Sequence, residues 1–526
     1  MINTIKNFKF TKRENDSLWK TIWRYMFPPL IMSLFTGIYV FFDDVLSVRL
    51  TSSEMPILYD IKSHVVTQQF LVRYSLLVTM GINFLLASFT TLFVVGISSS
   101  IAPDIENGNF DKAEGKIKKT IFVAFIAALI IVPVFIAIAK PLMNAQFNQD
   151  PLIKEVVIEH AFKYIWVTII GFPFLMYAQI IVSIYRVHGV NFWPVMISVF
   201  PIFINLFLDW FIPTVFKTGL QGSAIATLIS YLITALSIIV YQMKSKHEFL
   251  RIRKLFGDTK VKWSTICLLI IIGLSSAMRE FIQGWSEIYE NRQLSILDST
   301  THNFLDQNLY VKNISNVIPI INIFIPMIFA IVIGAAPILS IYYNNDKYTK
   351  QKRKATLIVF IYAMIIGVFC YVASASLFKF LCKIMFVNNS WYDIVSVGNI
   401  MTSLIMMQCL FLPITMVISA IFIAKKRYVL SILVALSKTL ILWIFLNMLL
   451  KITMNDRSEL ITPEQINKLF TIEGMGISTY IYFWSYPIAA LISAIFSISL
   501  TPLLKVNNKK LWNKIKSLII KKKINN

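Results

Sequence analysis

Charge is scarce in this sequence. Asp, Glu, Lys and Arg make up 15% of its 526 residues, where soluble globular chains carry roughly a quarter. So little charge cannot keep the surface of a protein this size in water, and much of that surface must face something else. Histidine is scarcer still: His64, His160, His188, His247 and His302 all fall in or near expected loops and read as surface residues. There are four cysteines, Cys267, Cys370, Cys382 and Cys409, and none stands at CxxC or CxxH spacing. That excludes a zinc module and gives no support to a disulfide framework. No GxxxxGK[ST] loop is present, so ATP is not the direct energy source. HExxH, Ser–His–Asp and Cys–His constellations are missing too, so the chain does not read as an enzyme. The first twenty residues lack the short apolar core and small-residue cleavage site of a removable signal, which makes the first apolar block a retained span.

What the chain does have is apolar length. Hydrophobic residues are 57% of the total, gathered in blocks such as Thr120 to Ala139 and Ser264 to Met278. Blocks of about twenty apolar residues match the hydrocarbon thickness of a bilayer. Twelve such spans can be drawn, from 22–49 to 475–504. The expectation is an all-α polytopic membrane protein with about twelve transmembrane helices in two pseudo-symmetric six-helix bundles. Its divisions would be an N-terminal tail at 1–21, a first lobe at 22–243, a basic linker at 244–262, a second lobe at 263–504 and a basic tail at 505–526. The net charge of +23 follows the same plan. About two-thirds of the 50 Lys and Arg residues fall in both termini and alternate loops, the pattern that marks a cytoplasmic face. A multi-pass protein of the plasma membrane with both termini cytoplasmic is expected, and no nucleic-acid partner. The seventh span reads as 263–284, followed by a long acidic loop at 285–315 that includes Glu287 and Glu290. Beyond Leu503, a face of Leu511, Trp512, Ile515, Leu518 and Ile519 among lysines suits a helix lying on an anionic leaflet.

The halves also repeat. VVGISSSIAPDIENGNFDKAEGKIKKTIFVAFI runs from Val94 to Ile126, and VIGAAPILSIYYNNDKYTKQKRKATLIVFI from Val332 to Ile361. Each has a glycine near a helix end, a small or proline-bearing stretch, a polar loop closing in a lysine run, and a threonine opening the next helix. Six-helix halves in the same orientation are an established transporter plan.

Polar residues inside spans cost enough to be functional candidates. Asp43 and Asp44 lie in the outer half of the first span. Asn205 and Asp209 are one helical turn apart on the fifth, so they share a face. Thr227 lies in the first turns of the sixth, and Tyr164 opens the fourth. Topology brings all of them to a similar depth. Carboxylates buried side by side are cheapest when one proton or one cation is held among them, with Asn205 and Thr227 as hydrogen-bonding neighbours. Lys438 falls near the middle of the eleventh span, with Arg24 and Arg186 towards the inner mouth. A cavity of that character would attract phosphate.

At these residues the chain resembles the multidrug and toxic compound extrusion (MATE) family, within the wider group of polysaccharide and lipid exporters. GIYVFFDDVLSVRL, from Gly37, is similar to the family's first-helix pattern, with Asp43 at the aspartate. VVGISSSIAPDIENGNFDKA, YRVHGVNFWP, the Asn205–Asp209 stretch and GLQGSAIAT follow the family's order, and GAAPILSIYYNNDKY resembles the second-half loop. Asn344 stands at a usual glycine and Asp44 at a usual threonine. The resemblance implies a cavity between two lobes and cation-coupled export. It points to Asp43, Asn205, Asp209 and Thr227, with Tyr164, as the cation-coupling residues, taking a proton or sodium ion and no other cofactor. Other branches of the family use carboxylates in helices 7 and 10. With no acid in helix 10, and Glu280 near the outer end of helix 7 beside Arg279, a second-lobe cation site is not expected. Two functional readings stay open: a monomeric exporter of amphipathic, cationic compounds, or a flippase for an anionic lipid or lipid-linked saccharide. Asp44, Lys438 and Arg24 are the candidates to line the substrate cavity.

Overall fold

The computed structural model describes residues 17–51, 58–59, 65–66, 68–147, 151–188, 192–244, 262–300, 309–345, 348, 350–385, 402–455 and 477–505. The linker, the C-terminal face at 511–519, His64, His247 and His302 lie outside the described residues.

Twelve helices are long and apolar enough to cross a membrane. In chain order they are α1 (Leu18–Thr51), α2 (Gln68–Glu106), α3 (Phe110–Asn144), α4 (Pro151–Val187), α5 (Phe192–Phe216) and α6 (Gly219–Lys244). The second half holds α7 (Trp263–Thr300), α8 (Leu309–Asn344), α9 (Lys352–Met385), α10 (Thr402–Ala424), α11 (Tyr428–Asn455) and α12 (Ile477–Ser499). Only helix lets a chain cross hydrocarbon with its backbone satisfied from within. Between α1 and α2 a short hairpin pairs β1 (Leu58–Tyr59) with β2 (Val65–Val66), Leu58 opposite Val66. Large apolar side chains such as Phe125, Phe203, Phe207, Phe369 and Ile444 are more than half exposed on the outside of the bundle, as a lipid-facing surface requires.

Helix adjacency repeats with a period of six. In the first lobe α1 packs on α5, α2 on α4, α4 on α6, and α5 on α6; in the second, α7 packs on α11, α8 on α10, α10 on α12, and α11 on α12. The lobes meet most extensively on two helix pairs, α1 with α8 and α2 with α7, which exchange under the same repeat, and α2 also packs on α8. Both pairs are antiparallel and keep one register. On the α2–α7 seam, Gly81 faces Gly284, Leu92 faces Gly273 and Gly96 faces Leu269. On α1–α8, Gly37 faces Ile323 and Met26 faces Gly334. A Cβ at Gly284 or Gly96 would lie 2.6 Å from a carbonyl oxygen across the seam, so glycine is what permits this approach. Gly96 and Gly334 are the glycines of the two repeated sequence stretches, and each seats a helix of the other lobe.

Several helices outrun the spans drawn from hydropathy. The α3 helix begins at Phe110 and α4 at Pro151, so Tyr164 sits well inside α4 and not at its start. Most consequential is α7. It continues to Thr300, and the stretch taken for an acidic loop is helix with Glu290 and Asn291 buried at 4% and 1% exposure. Gln283, Ser286, Glu287, Glu290 and Asn291 recur at helical spacing on one face. That stripe packs inward, and its polarity ended the span in a hydropathy reading. His188 is likewise buried at the end of α4, not a surface residue.

Candidate functional site

The first-lobe candidates converge. Asp43 of α1, and Asn205 and Asp209 of α5, are buried, as are Thr227 of α6 and Tyr164 of α4. The hub is a residue absent from the expected set. Ser223 of α6 donates from Oγ to Asp43 Oδ1 at 2.7 Å and also lies 3.2 Å from Asp209 Oδ1. Ser47, one turn beyond Asp43, donates to Ser223 Oγ at 3.0 Å. The carboxyls of Asp43 and Asp209 stand within hydrogen-bonding reach of each other. Tyr164 Oη reaches Asp43 Oδ2 in a long contact of 3.5 Å. Thr227 does not bond the carboxylates as expected: its hydroxyl pairs with Tyr39 Oη at 3.1 Å. Asn205 does not either, since neither atom of its buried amide has a partner. Thr227 stands one helical turn beyond Ser223, and it is Ser223 that lies at the level of the acids. The helical spacing of Tyr39–Asp43–Ser47 on α1 and Ser223–Thr227–Tyr231 on α6 is the signal that could have found Ser223 and Ser47.

Hydrogen-bond bookkeeping limits the states of this cluster. One hydroxyl proton cannot serve two carboxylates. Asp43 accepts from Ser223 and Tyr164, whereas Asp209 Oδ2 receives no hydrogen bond. No basic side chain is among the groups described as acting on either acid. Added positive charge completes the set: a proton on Asp209 shared with Asp43 and Ser223, or a cation among the Asp43, Asp209 and Asn205 oxygens.

The cavity candidates separate. Asp44 takes no part in the Ser223 hydrogen bonds, and the basic side chain that acts on it is Arg73 of α2. Arg24 is half-buried in the first turns of α1. Neither lines the cavity described next; Lys438 does.

That cavity, of about 60 Å³, lies in the second lobe. Glu287 and Glu290 of α7, Lys438 of α11, Gln408 of α10, Asn322 of α8 and Tyr486 of α12 supply its polar lining. Its wall towards the first lobe includes Phe84 of α2. Ser286 Oγ donates to Glu290 Oε1 at 2.5 Å, and Tyr486 Oη donates to Glu290 Oε2. Gln283 Nε2 donates to Glu287 Oε1 at 2.8 Å. Lys438 Nζ lies 5.9 Å from the centre of the Tyr486 ring, in the field of both glutamates. Gln408 sits on a 3₁₀ turn, Met407–Leu410, that interrupts α10. Gly367 of α9 makes room for that turn, since a Cβ there would strike the Cys409 carbonyl. Glu287 and Glu290, expected in a loop, thus stand on helix α7 and face a cavity that also holds a lysine. Glu280 is corrected as well: it lies mid-helix at the seam, where Thr91 Oγ1 of the first lobe donates to its Oε2 at 2.7 Å.

Two six-helix lobes of equivalent packing, meeting chiefly on two exchanged helix pairs and holding buried polar sites, make up the fold of the solved MATE structures. Residues 75–211 match the MatE family model. The uncharacterized protein MG447 homolog of Mycoplasmoides gallisepticum is 20% identical over 556 residues, covering 93% of this chain and 90% of that one. The fold matches the outward-facing conformation of a multidrug resistance MATE family transporter of the MOP superfamily, with TM-score 0.68 and 15% identity over 98% of each chain. It also matches a MOP superfamily transporter from Pyrococcus furiosus, described as having reverse polarity of its binding pocket, with TM-score 0.66 and 14% identity over 96% of this chain and 99% of that one. The protein is thus a multi-pass membrane protein with a MatE domain and the MATE transporter fold.

Proposed function

We propose that this protein is a secondary active exporter of the plasma membrane, with both termini cytoplasmic, that couples entry of a proton or sodium ion to outward movement of an amphipathic substrate. One observation carries the reading. A single serine, Ser223, ties the carboxyls of Asp43 and Asp209 across three helices, and the cluster lacks the positive charge that would complete it. Loading a cation there draws α1, α5 and α6 together; losing it releases them. Since α1 also packs on α8 of the second lobe, the loaded and empty states bias the lobe–lobe contact differently, which is what alternating access needs.

The flippase reading for an anionic lipid draws on Lys438 in the second-lobe cavity. Two glutamates share that cavity, so it is not a cationic basket, and the exporter reading is preferred. The test is reconstitution into liposomes with an imposed proton or sodium gradient and a panel of amphipathic cations. Gradient-driven export is expected from the wild type and not from Asp209→Asn; undiminished export by that variant removes the site from the mechanism.

A further inference from the structure

The second-lobe cavity has a charge arrangement that the first-lobe site lacks. Glu287 and Lys438 both border it, and no ion pair of 4 Å or less joins them among the described residues. Opposite charges held apart at lipid depth are expensive unless something polar occupies the space between them. The remaining valences show what that something is. Both oxygens of Glu290 are engaged by Ser286 and Tyr486, which fixes Glu290 as structural. Glu287 has one oxygen engaged, by Gln283, leaving the other to accept. Gln408 is 3% exposed, and its Oε1 has no partner. The cavity therefore offers a carboxylate and an amide oxygen as acceptors, and an ammonium with three donors as the opposing group. Its volume of about 60 Å³ holds roughly four waters, or a group of a few heavy atoms.

We propose that this cavity binds a zwitterionic group, with a ligand ammonium held by Glu287 and Gln408 and a ligand acid group held by Lys438. This rests on the transporter reading and names the substrate class of the second lobe. The placement suits transport. Phe84, on the seam helix α2 of the first lobe, forms part of the wall, so any movement of α2 against α7 changes access. The α1–α8 register puts Asp43 within one residue of the level of Ile318, another lining residue, so the two sites lie at a similar depth on opposite sides of the interface.

Equilibrium binding to the purified full chain tests this with three probes: phosphoethanolamine, ethanolamine for the cationic half, and methyl phosphate for the anionic half. Wild type is expected to bind phosphoethanolamine about thirtyfold or more tighter than either half. Lys438→Met should reduce phosphoethanolamine binding to the ethanolamine level while ethanolamine binding persists, and Lys438→Arg should retain the preference. Glu287→Gln should reduce it to the methyl phosphate level. Displacement of labelled phosphoethanolamine by phosphatidylethanolamine in mixed micelles would identify a lipid headgroup as the source, and displacement by soluble zwitterions alone a small solute. Equal binding of ethanolamine and phosphoethanolamine to wild type, or a preference that survives Lys438→Met, overturns the proposal. No gradient enters this assay. Binding without Asp209-dependent export therefore defeats only the coupling reading, and coupled export without zwitterion preference defeats only this one.

Discussion

The two lobes repeat their helix packing and differ in the charge they place inside it. In the first, α1, α5 and α6 contribute Asp43, Asp209 and Ser223, an oxygen-rich cluster whose acids form no ion pair of 4 Å or less among the described residues. In the second, the corresponding helices α7, α11 and α12 contribute Glu290, Lys438 and Tyr486. The fifth helix of one lobe carries an aspartate, Asp209, and the fifth of the other a lysine, Lys438. A cluster with a resident ammonium does not need a cation from solution, and a cluster of bare oxygens does. The comparison fits the division of labour proposed above, with the coupling ion in the first lobe and the ligand with its own charges in the second.

The largest expected effect breaks the comparison outright. Asp209→Asn should reduce the acceleration of export by an imposed gradient by about a hundredfold, measured as flux from proteoliposomes with and without the gradient. If instead a neutral residue at Asp209 leaves gradient dependence intact, the lobes do not divide as described. Next, Ser223→Ala should weaken coupling by about tenfold or more, since it removes a hydrogen bond to a charged acid. Thr227→Ala, which loses only its contact with Tyr39, should have a smaller effect in the same flux assay. An equal effect from both would return Thr227 to the centre of the site.

The symmetry itself can be tested through the paired glycines. Gly96→Ala and Gly334→Ala each force a methyl group against the other lobe's backbone, at about 1–3 kcal/mol apiece. Thermal unfolding in detergent should show comparable losses, and a silent member of the pair would show that the two seams are not equivalent. The smallest effect is expected at the end of the bundle carrying the basic loops. There Tyr348 Oη donates to Glu106 Oε1 at 2.6 Å, and Asn345 Nδ2 donates to Asn107 Oδ1 at 3.1 Å, both across the lobes. Tyr348→Phe removes one of these, and a few-fold shift towards separation of the α2 and α8 ends should follow. Spin-label distances between those ends would measure it.

Much of the fold was legible because apolar length is a one-dimensional signal. A bilayer fixes how long an apolar block must be, and twelve blocks survive the reading whatever packs against them. The repeat around Gly96 and Gly334 was legible as sequence, although not that both glycines seat the opposite lobe. Asp43, Asn205, Asp209, Thr227 and Tyr164 stood out because each is costly at lipid depth. Ser223 and Ser47 did not, because serine is cheap in a membrane helix and common there. Glu287 and Glu290 were hidden for the opposite reason: a stripe polar enough to face a cavity is polar enough to look like a loop. Lys438 was visible, but which charges it faces depends on how α7 and α11 pack, and hydropathy carries no information about that.

Lys438 also bears on how the protein would respond to voltage. A full charge crossing a membrane gains or loses about 2.3 kcal/mol per 100 mV. A lysine tethered to its helix returns with it on every cycle, and a ligand of balanced charge carries none across. Under the coupling proposed above, the electrical work of a turnover would fall to the ion held at Asp43 and Asp209, so current recorded during transport would count coupling ions and be blind to cargo.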